Sequence, residues 1–282
     1  MNTMKVWLLM GGLTVLLVLM GNAINGSSGM AVFFMIAMAM NFFSYFYSDK
    51  IAIKMTRSYP VSEAEAPDLY EIVHRLSQRA GIPRPRLYVT PSDQPNAFAT
   101  GRNPANSAVA VTEGIMRLLT RSEVEGVLAH ELAHIKNRDV LVGTVAATMA
   151  GAISMIGNAI QWGAIFGLGR SDDDEGGSGM VGALIMAIVF PIAAMIIQLA
   201  ISRSREYGAD AAGAQIAGSP DGLANALLKL ESAAQRIPMQ VNPSTSHLFI
   251  VNPLSGASMA RLFSTHPPIQ ERVEKLRAMK IR

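Results

Sequence analysis

One stretch of this 282-residue chain, His130-Glu131-Leu132-Ala133-His134, carries two histidines four positions apart and a glutamate directly after the first of them. Residues at this spacing lie on one face of an α-helix, so both imidazoles can reach the same ion. The pattern matches H-E-x-x-H, in which the histidines hold Zn²⁺ and the glutamate acts as general base. Because the chain has only five histidines, a chance match is rare. The stretch therefore predicts a helix with a zinc site on one face.

A catalytic zinc ion takes three protein ligands and keeps one position open. The chain has no cysteine, and no further histidine follows His134 at close spacing. The acidic candidate is Glu206, with Asp210 four residues later on the same helical face. In this arrangement Glu206 binds zinc, and Asp210 accepts an N–H from a ligand histidine and fixes the tautomer of its ring. The alternative, in which both acids belong to a solvated charged face, stays open.

The charged residues are distributed very unevenly along the chain. They make up 16% of all residues, against about 25% in a soluble domain, while 50% of the residues are hydrophobic. No Asp, Glu, Lys or Arg occurs in residues 6–48, 140–169 or 176–202. The composition therefore argues against a simple soluble enzyme and predicts a globular part joined to membrane-spanning helices.

The first apolar stretch breaks at the turn-forming residues 25–29, which leaves Val6–Ile24 and Met30–Tyr47 as candidate spans. Each is close to the roughly 20 residues that cross a bilayer as a helix. A signal peptide is disfavoured, because a second apolar stretch follows at once and no small-residue cleavage site is evident. The two later stretches flank an acidic loop, 170–175, and predict a second hairpin. Since this hairpin is less hydrophobic, a position partly at the interface stays open for it.

Basic residues lie on one side of the predicted hairpins, and cytoplasmic loops are enriched in Lys and Arg. Both polar segments are therefore predicted to lie in the cytoplasm. The basic residues on this side are Lys5, Lys50, Lys54, Arg57, Arg203 and Arg205, against Arg170 alone in the opposite loops. The predicted order is an N-terminal hairpin (1–48), a first catalytic part (49–139), a second hairpin (140–202) and a second catalytic part (203–282).

The globular segments have the pattern of an α+β fold, with helices and a small antiparallel sheet. Two capping boxes, Ser62 with Glu65 and Ser122 with Glu125, predict helix starts, and the second helix carries the paired histidines. Short runs bounded by Pro, Gly and Asn predict the strands. These runs are Arg86–Thr90, Asn96–Thr100 and Ser107–Thr112, and further helices are predicted near residues 221–236 and 268–279.

Four motifs occur together in this chain. The first is the His-Glu-Leu-Ala-His stretch, and the second is Ser-Arg-x-Arg-Glu-Tyr-x-Ala-Asp at residues 202–210. The others are Ser-Thr-His-Pro-Pro at 264–268 and Asn-Ala-Phe-Ala-Thr-Gly at 96–101. This set resembles the HtpX-type integral-membrane zinc metalloproteases, relatives of the eukaryotic CAAX prenyl endopeptidases. The resemblance covers nearly the whole chain, and it implies a gluzincin-like fold with about four transmembrane helices in two hairpins.

The resemblance also implies roles for individual residues. Zinc is expected on His130, His134 and Glu206, with Glu131 as general base and acid. By position in the family pattern, Asn96 and His266 are expected to steady the transition state. A turn residue at Asn96 and a capping or core histidine at His266 stay open as alternatives. The family's architecture further makes residues 96–101 the candidate edge strand, to which an extended peptide would add with little sequence preference.

The implied role is an endopeptidase of membrane-protein quality control and stress response, at the cytoplasmic face of the bacterial inner membrane. The ligands lie within about 10 Å of helix from the apolar stretches, which predicts cleavage close to the membrane. Expected partners are unfolded or membrane-protein substrates, the lipid bilayer and other membrane quality-control proteases. The net charge of +3 is too small to argue for nucleic acid.

Two alternative functions stay open for this chain. One is a processing protease for lipidated or specific membrane-protein C-termini, as in the prenyl relatives. The other is a non-catalytic, zinc-stabilised membrane adaptor, against which the intact Glu131 argues. A transporter with a structural zinc is disfavoured, because ionisable residues are absent from the predicted spans.

Overall fold

The computed structural model describes residues 2–146, 149, 203–237, 239, 241, 243–253 and 267–281. The second predicted hairpin therefore lies almost wholly outside the described residues, as does His266. The described part consists of an N-terminal helical hairpin, a four-stranded sheet and a group of helices.

Helix α1, Asn2–Phe46, is a hairpin of two helical arms rather than one straight helix. The helical path breaks at Asn25 and Gly26, inside the predicted turn, and Gly26 has φ 54°, which glycine adopts without strain. The arms run antiparallel, since the Asn41 side-chain amide in the second arm donates to Thr14 Oγ1 in the first at 2.8 Å.

The hairpin is the membrane-compatible part of the described chain. Within the described residues, Asn25–Phe46 is long and apolar enough to cross a membrane, and Met4–Leu19 is a shorter apolar helix. The hairpin also packs against the start of the third apolar stretch, where residues 139–146 are helical. The buried members of this cluster are Val6, Met10, Leu13, Leu17 and Ala37 from the hairpin and Leu141, Val142, Val145, Ala146 and Met149 from the stretch.

A short helix, α2 (Ser48–Met55), joins the hairpin to a sheet of order β1-β2-β4-β3. The strands are β1 Tyr59–Pro60, β2 Arg86–Thr90, β3 Ala97–Asn103 and β4 Asn106–Thr112. Strand β4 is parallel to β2 and antiparallel to β3, so the prediction of an antiparallel sheet is wrong for one pairing. The reason is that β4 inserts between β2 and β3 after a tight reversal of the chain. Strand β3 is left at the edge of the sheet.

The helices of the globular part pack around α5 (Arg121–Asn137), which contacts α3 (Pro67–Ala80), α6 (Arg203–Ala217), α7 (Asp221–Ala234) and strand β3. Its residues Leu128 and Leu132 are fully buried in the main apolar core. The helices are α3 Pro67–Ala80, α4 Glu113–Leu118, α5 Arg121–Asn137, α6 Arg203–Ala217, α7 Asp221–Ala234 and α8 Ile269–Arg277, with a 3₁₀ helix at Pro243–Leu248.

Both predicted capping boxes are wrong as helix starts. Helix α5 begins after Thr120, because Thr120 and Glu123 form the capping box, with the Thr120 N–H donating to Glu123 Oε2 at 2.8 Å. Glu125 of the predicted box forms an ion pair with Arg75 instead. The N–H of Ser62 does donate to the Glu65 carboxylate at 2.7 Å, but inside a turn. Helix α3 starts later at a proline, the residue type favoured at the first helical position.

Candidate active site

Helix α5 presents His130 and His134 on one face, and helix α6 brings Glu206 against them. His130 Nε2 lies 3.2 Å from His134 Nε2, and His134 Nε2 lies 3.5 Å from Glu206 Oε1. One ligand atom from each of the three residues lies within 4.8 Å of the others, close enough to share one ion. Glu206 lies 72 positions after His134 in the chain, and the packing of α6 beside α5 brings the two together.

A carboxylate faces the far ring nitrogen of each histidine. His130 Nδ1 lies 3.0 Å from Asp210 Oδ1, and His134 Nδ1 lies 3.3 Å from Asp139 Oδ2. Such a partner keeps a proton on Nδ1 and leaves the Nε2 lone pair for a metal. The sequence pattern did not reveal Asp139. The sequence cue that could have revealed Asp139 is an acidic residue directly after the end of the helix that carries His134. The helix ends at Arg138, which adopts φ 57°, and Asp139 then lies against His134.

Arg272 on helix α8 is a second site residue that the sequence pattern did not reveal. Its guanidinium is fully buried and donates to both oxygens of Asp210, at 2.9 Å from Nε and 2.7 Å from Nη2. Helical periodicity could have revealed it, because Arg272 lies on the same buried helix face as Ile269, Val273 and Leu276. An arginine on an apolar face needs a buried acid as its partner.

Burial and neighbouring charges move the pKa values of the two histidines in opposite directions. Burial lowers the pKa of His130 to about 4, although Asp210 opposes this shift. Burial also acts to lower the pKa of His134, but the hydrogen bond to Asp139 and the negative charge of Glu206 raise it to about 9. At neutral pH the His130 ring is therefore neutral, whereas a metal that binds His134 must displace a proton.

The two other acids beside the cluster also have shifted pKa values. Burial raises the pKa of Glu131 to about 7, against the opposing effects of His134 and of a backbone hydrogen bond from Ala99. Burial acts to raise the pKa of Asp210 as well, but Arg272 and His130 lower it to about 2. Asp210 is thus a fixed negative charge, while Glu131 exchanges a proton near neutral pH.

The donor set fits a transition-metal ion. Two imidazoles and one carboxylate are the ligands of many catalytic zinc sites, which leave a fourth position open. The carboxylates behind both rings supply the outer contacts that such ligands usually have. The cluster therefore meets the chemical requirements of a metal site with three protein ligands.

Of the two residues expected to steady the transition state, the structure describes Asn96. Asn96 is fully buried at the start of β3, where its Nδ2 donates to Val251 O at 2.7 Å. His266 lies outside the described residues. Their expected contribution to the transition state stays a prediction.

A comparison with family models matches residues 63–280 to the model described as Peptidase family M48. The chain belongs to peptidase family M48. The matched residues include the whole metal cluster, Glu131 and the helices that position them. The M48 chain is therefore a metallopeptidase, and the cluster fits the metal ion that the family implies.

Named relatives of this M48 chain extend over its full length. A Protease HtpX homolog from Pelotomaculum thermopropionicum is 69% identical over 281 residues, which is 100% of both chains. Another, from Thermococcus sibiricus, is 53% identical over 276 residues, covering 97% of this chain and 94% of the relative. The expected resemblance to HtpX-type proteases is thereby confirmed, and the M48 chain is a membrane metalloprotease.

A solved structure also has a similar fold. The match to Ste24p from S. mikatae has a TM-score of 0.50 at 21% sequence identity. It covers 94% of this M48 chain and 62% of the Ste24p chain. At this identity the likeness shows the fold alone, which is a helix-rich metalloprotease fold with a small sheet.

Proposed function

We propose that this M48 protein is a zinc endopeptidase that cleaves unfolded or misfolded membrane proteins at the cytoplasmic face of a bacterial inner membrane. The observation that carries the proposal is the convergence of His130, His134 and Glu206, with ligand atoms within 4.8 Å, beside the buried Glu131. Bound at these three residues, zinc would supply Lewis acidity and lower the pKa of water.

Glu131 performs the proton transfers of the proposed reaction. Its buried carboxylate lies beside the three ligands, where it can accept a proton from the attacking water and release it to the leaving amine. Asp210 and Asp139 hold the two imidazoles in their orientations through Nδ1. The ionised Asp210 is itself held by Arg272, so the ligand geometry is fixed before a substrate arrives.

The position of the cluster next to the hairpin supports cleavage close to the membrane. His134 contacts Asp139, the first residue of the helical segment that packs on the hairpin. On the other side, Thr100 of β3 lies 3.3 Å from Thr144 of the same segment, Oγ1 to Oγ1. The guanidinium of Arg102, near the end of β3, lies 5.4 Å from the ring centroid of Phe46 at the base of the hairpin.

The charge at the base of the hairpin supports the cytoplasmic orientation. Helix α2 leaves the second arm with Lys50 and Lys54 exposed, and Arg57 is exposed directly beyond it. Basic residues that flank a span favour the cytoplasmic side. The globular part continues from this end of the hairpin, so it shares the same side.

The test compares the wild type with Glu131→Gln and Glu125→Gln, all loaded with zinc in detergent and given an unfolded protein substrate. Glu131→Gln is expected to keep its zinc and lose at least about 10²-fold in rate, because general acid–base catalysis contributes this much or more. Glu125→Gln lies on the same helix but faces Arg75, so activity is expected to persist. Near-normal turnover by Glu131→Gln would contradict the assignment.

A second comparison tests the preference for membrane-proximal sites. Two substrates carry the same cleavable segment, one directly after a membrane span and one behind a long folded spacer. Faster cleavage of the first is expected in reconstituted membranes. Equal rates would refute the proposed placement, and cleavage of lipidated C-terminal peptides alone would favour the processing protease instead.

A further inference from the structure

A narrow crevice lies where the globular part meets the apolar helices. Its walls include Arg102 near the end of β3, Ile135 and Arg138 at the end of α5, and Val140, the first residue of the third apolar stretch. The Arg102 guanidinium also lies 5.4 Å from the ring centroid of Phe46, the last residue of the hairpin. The crevice is therefore placed between two entries of the chain into its apolar helices, at the level expected for the membrane surface.

Both arginines of the crevice stand on unusual backbone. Arg102 lies at a β-bulge, where the register of β3 with β4 shifts between Gly101 and Asn103. Such a bulge redirects a side chain from its place in the regular strand. Arg138 ends α5 with φ 57°, in the left-handed conformation that glycine usually takes at this position. An arginine here costs more backbone energy than a glycine, which points to a use for its side chain.

The positive charge at the crevice is not balanced by acids of the described residues. In this part of the chain, neither the Arg102 nor the Arg138 guanidinium has a carboxylate partner. Asp49, at the base of the hairpin, is already paired with Arg86 at 2.6 Å. Further exposed basic residues in the segments that adjoin the hairpin and the third apolar stretch are Lys50, Lys54, Arg57 and Lys136. The base of the hairpin is thus a basic surface that lacks its anion.

The phosphate of a lipid headgroup fits this place best. The guanidinium fork matches the oxygens of a phosphate, and basic pockets beside membrane spans bind anionic headgroups. The volume of the crevice, about 10 Å³, gives room for one oxygen of the size of water. On the hairpin side of the crevice, Phe42 and Phe43 are exposed and offer an apolar surface to acyl chains.

We propose that Arg102 and Arg138 together bind the phosphate of an anionic phospholipid, with one phosphate oxygen in the crevice and the acyl chains against the hairpin. This site is separate from the metal cluster and does not rest on the proposed peptidase function. It has a consequence for that function, because Arg138 ends the helix that carries His134. The bound headgroup fastens this end of α5 to the membrane surface.

The first experiment titrates the full-length protein in neutral detergent with phosphatidylglycerol and counts bound lipids by native mass spectrometry. Arg138→Gly removes the guanidinium and suits the φ of 57°, so the variant is expected to be at least as stable as the wild type. Its affinity for the lipid is expected to fall about 10- to 150-fold, the effect of losing hydrogen bonds between charged groups.

Arg57→Gly is the matched control for this variant. Arg57 is also an exposed arginine with a left-handed backbone, at φ 55°, but it does not line the crevice. The control is expected to weaken lipid binding no more than about fivefold, the effect of one basic residue near a membrane surface. Equal losses in the two variants would show diffuse attraction and would overturn the site.

A double variant tests whether one phosphate is shared by both arginines. Arg102→Gln and Arg138→Gly are measured singly and together. If both side chains bind one phosphate, the loss in the double variant is expected to be smaller than the product of the two single losses. Losses that multiply would show two independent contacts and would contradict a shared site.

Two further probes identify the chemistry that is bound. Phosphatidylcholine is expected to bind more weakly than phosphatidylglycerol, because its headgroup has no net charge. Inorganic phosphate at the concentration of the lipid is expected to displace little of it, because the free ion has no acyl chains. Equal affinity for the two lipids, or full displacement by inorganic phosphate, would overturn the proposal. None of these measurements uses a protein substrate, so their failure leaves the proposed peptidase function standing.

Discussion

Arg272 donates two hydrogen bonds to the carboxylate of Asp210, from Nε to Oδ2 at 2.9 Å and from Nη2 to Oδ1 at 2.7 Å. The same carboxylate lies 3.0 Å from Nδ1 of His130. Helix α8, near the C-terminus, thus fixes the orientation of a metal ligand on α5 through an acid on α6. All three side chains are buried, so water cannot replace a lost partner.

Asp210→Asn is expected to weaken metal binding about 10- to 100-fold, because the carboxylate behind a ligand histidine fixes its tautomer. The same change removes the nearest counter-charge of the buried Arg272 guanidinium and leaves it only the longer ion pair with Glu206 at 3.9 Å, which costs up to about 3–5 kcal/mol of unfolding free energy. Competition titration with a zinc chelator and denaturant unfolding measure the two effects separately.

Arg272→Met in the Asp210→Asn background provides the control for this pair. Since the double variant carries no unpaired buried charge, its loss of stability is expected to be smaller than the sum of the two single losses. Its metal affinity is expected to stay low, because the carboxylate is still missing. Additive stability losses would show that the two residues act independently.

The candidate site was predictable where its geometry follows from local spacing. His130 and His134 are four residues apart on a helix, so their convergence needs no knowledge of the rest of the fold. Asp139 and Arg272 were not predictable in this way. Asp139 reaches His134 only because the chain turns at the end of α5, and Arg272 reaches Asp210 only through the packing of α8 on α6.

The fold was likewise predictable where it follows from local sequence and not where it depends on contacts between distant segments. The run Arg86–Thr90 coincides with β2, because proline and turn residues bound it on both sides. The parallel pairing of β2 with β4 was not predictable, since it depends on where the intervening strand folds back. The start of α5, by contrast, is set by local sequence, since Thr120 and Glu123 have the capping-box spacing two residues before the predicted pair.

The start of helix α5 gives a direct test of which residue caps it. Thr120→Ala is expected to lower the free energy of unfolding by about 1 kcal/mol, the usual effect of removing an N-cap hydroxyl. Ser122→Ala, two residues later at an exposed position inside the helix, is expected to change it by no more than a few tenths. Denaturant unfolding of the two variants measures the difference. A larger effect at Ser122 would instead support Ser122 as the N-cap, as the sequence predicts.

Metal affinity is expected to rise with pH up to about pH 9. The pKa of His134 is raised from 6.5 to about 9, and a metal needs the neutral ring, so binding releases one proton below that pH. The apparent affinity therefore falls about tenfold for each pH unit between 9 and 7. The raised pKa also stabilises the protein without metal fully below pH 6.5, and this stabilisation is lost as pH rises through 9.

Zinc titrations against a chelator at pH 7, 8 and 9 measure this slope, after correction for the chelator's own protonation. Calorimetry in buffers of different ionisation enthalpy counts the released protons independently. His74→Gln is the control, since His74 is exposed on α3, away from the cluster, and the slope is expected to be unchanged. An affinity that does not change between pH 7 and 9 would contradict a protonated His134.

Two glycines on helix α6 give opposite predictions for the same substitution. A Cβ at Gly213 would lie 2.9 Å from both the N and Cα atoms of His130, so the backbones of α6 and α5 are in close contact beside a metal ligand. Gly213→Ala is expected to push the helices apart, to cost about 1–3 kcal/mol of unfolding free energy and to weaken zinc binding.

A Cβ at Gly208 would meet nothing within 4 Å. Gly208→Ala is expected to stabilise the helix by roughly 0.5–1 kcal/mol, because alanine loses less backbone entropy than glycine on folding. Denaturant unfolding measures the change in stability of both variants, and zinc titration measures the change in their metal affinity. Equal effects at the two positions would show that the close contact of α6 with His130 does not set the ligand geometry.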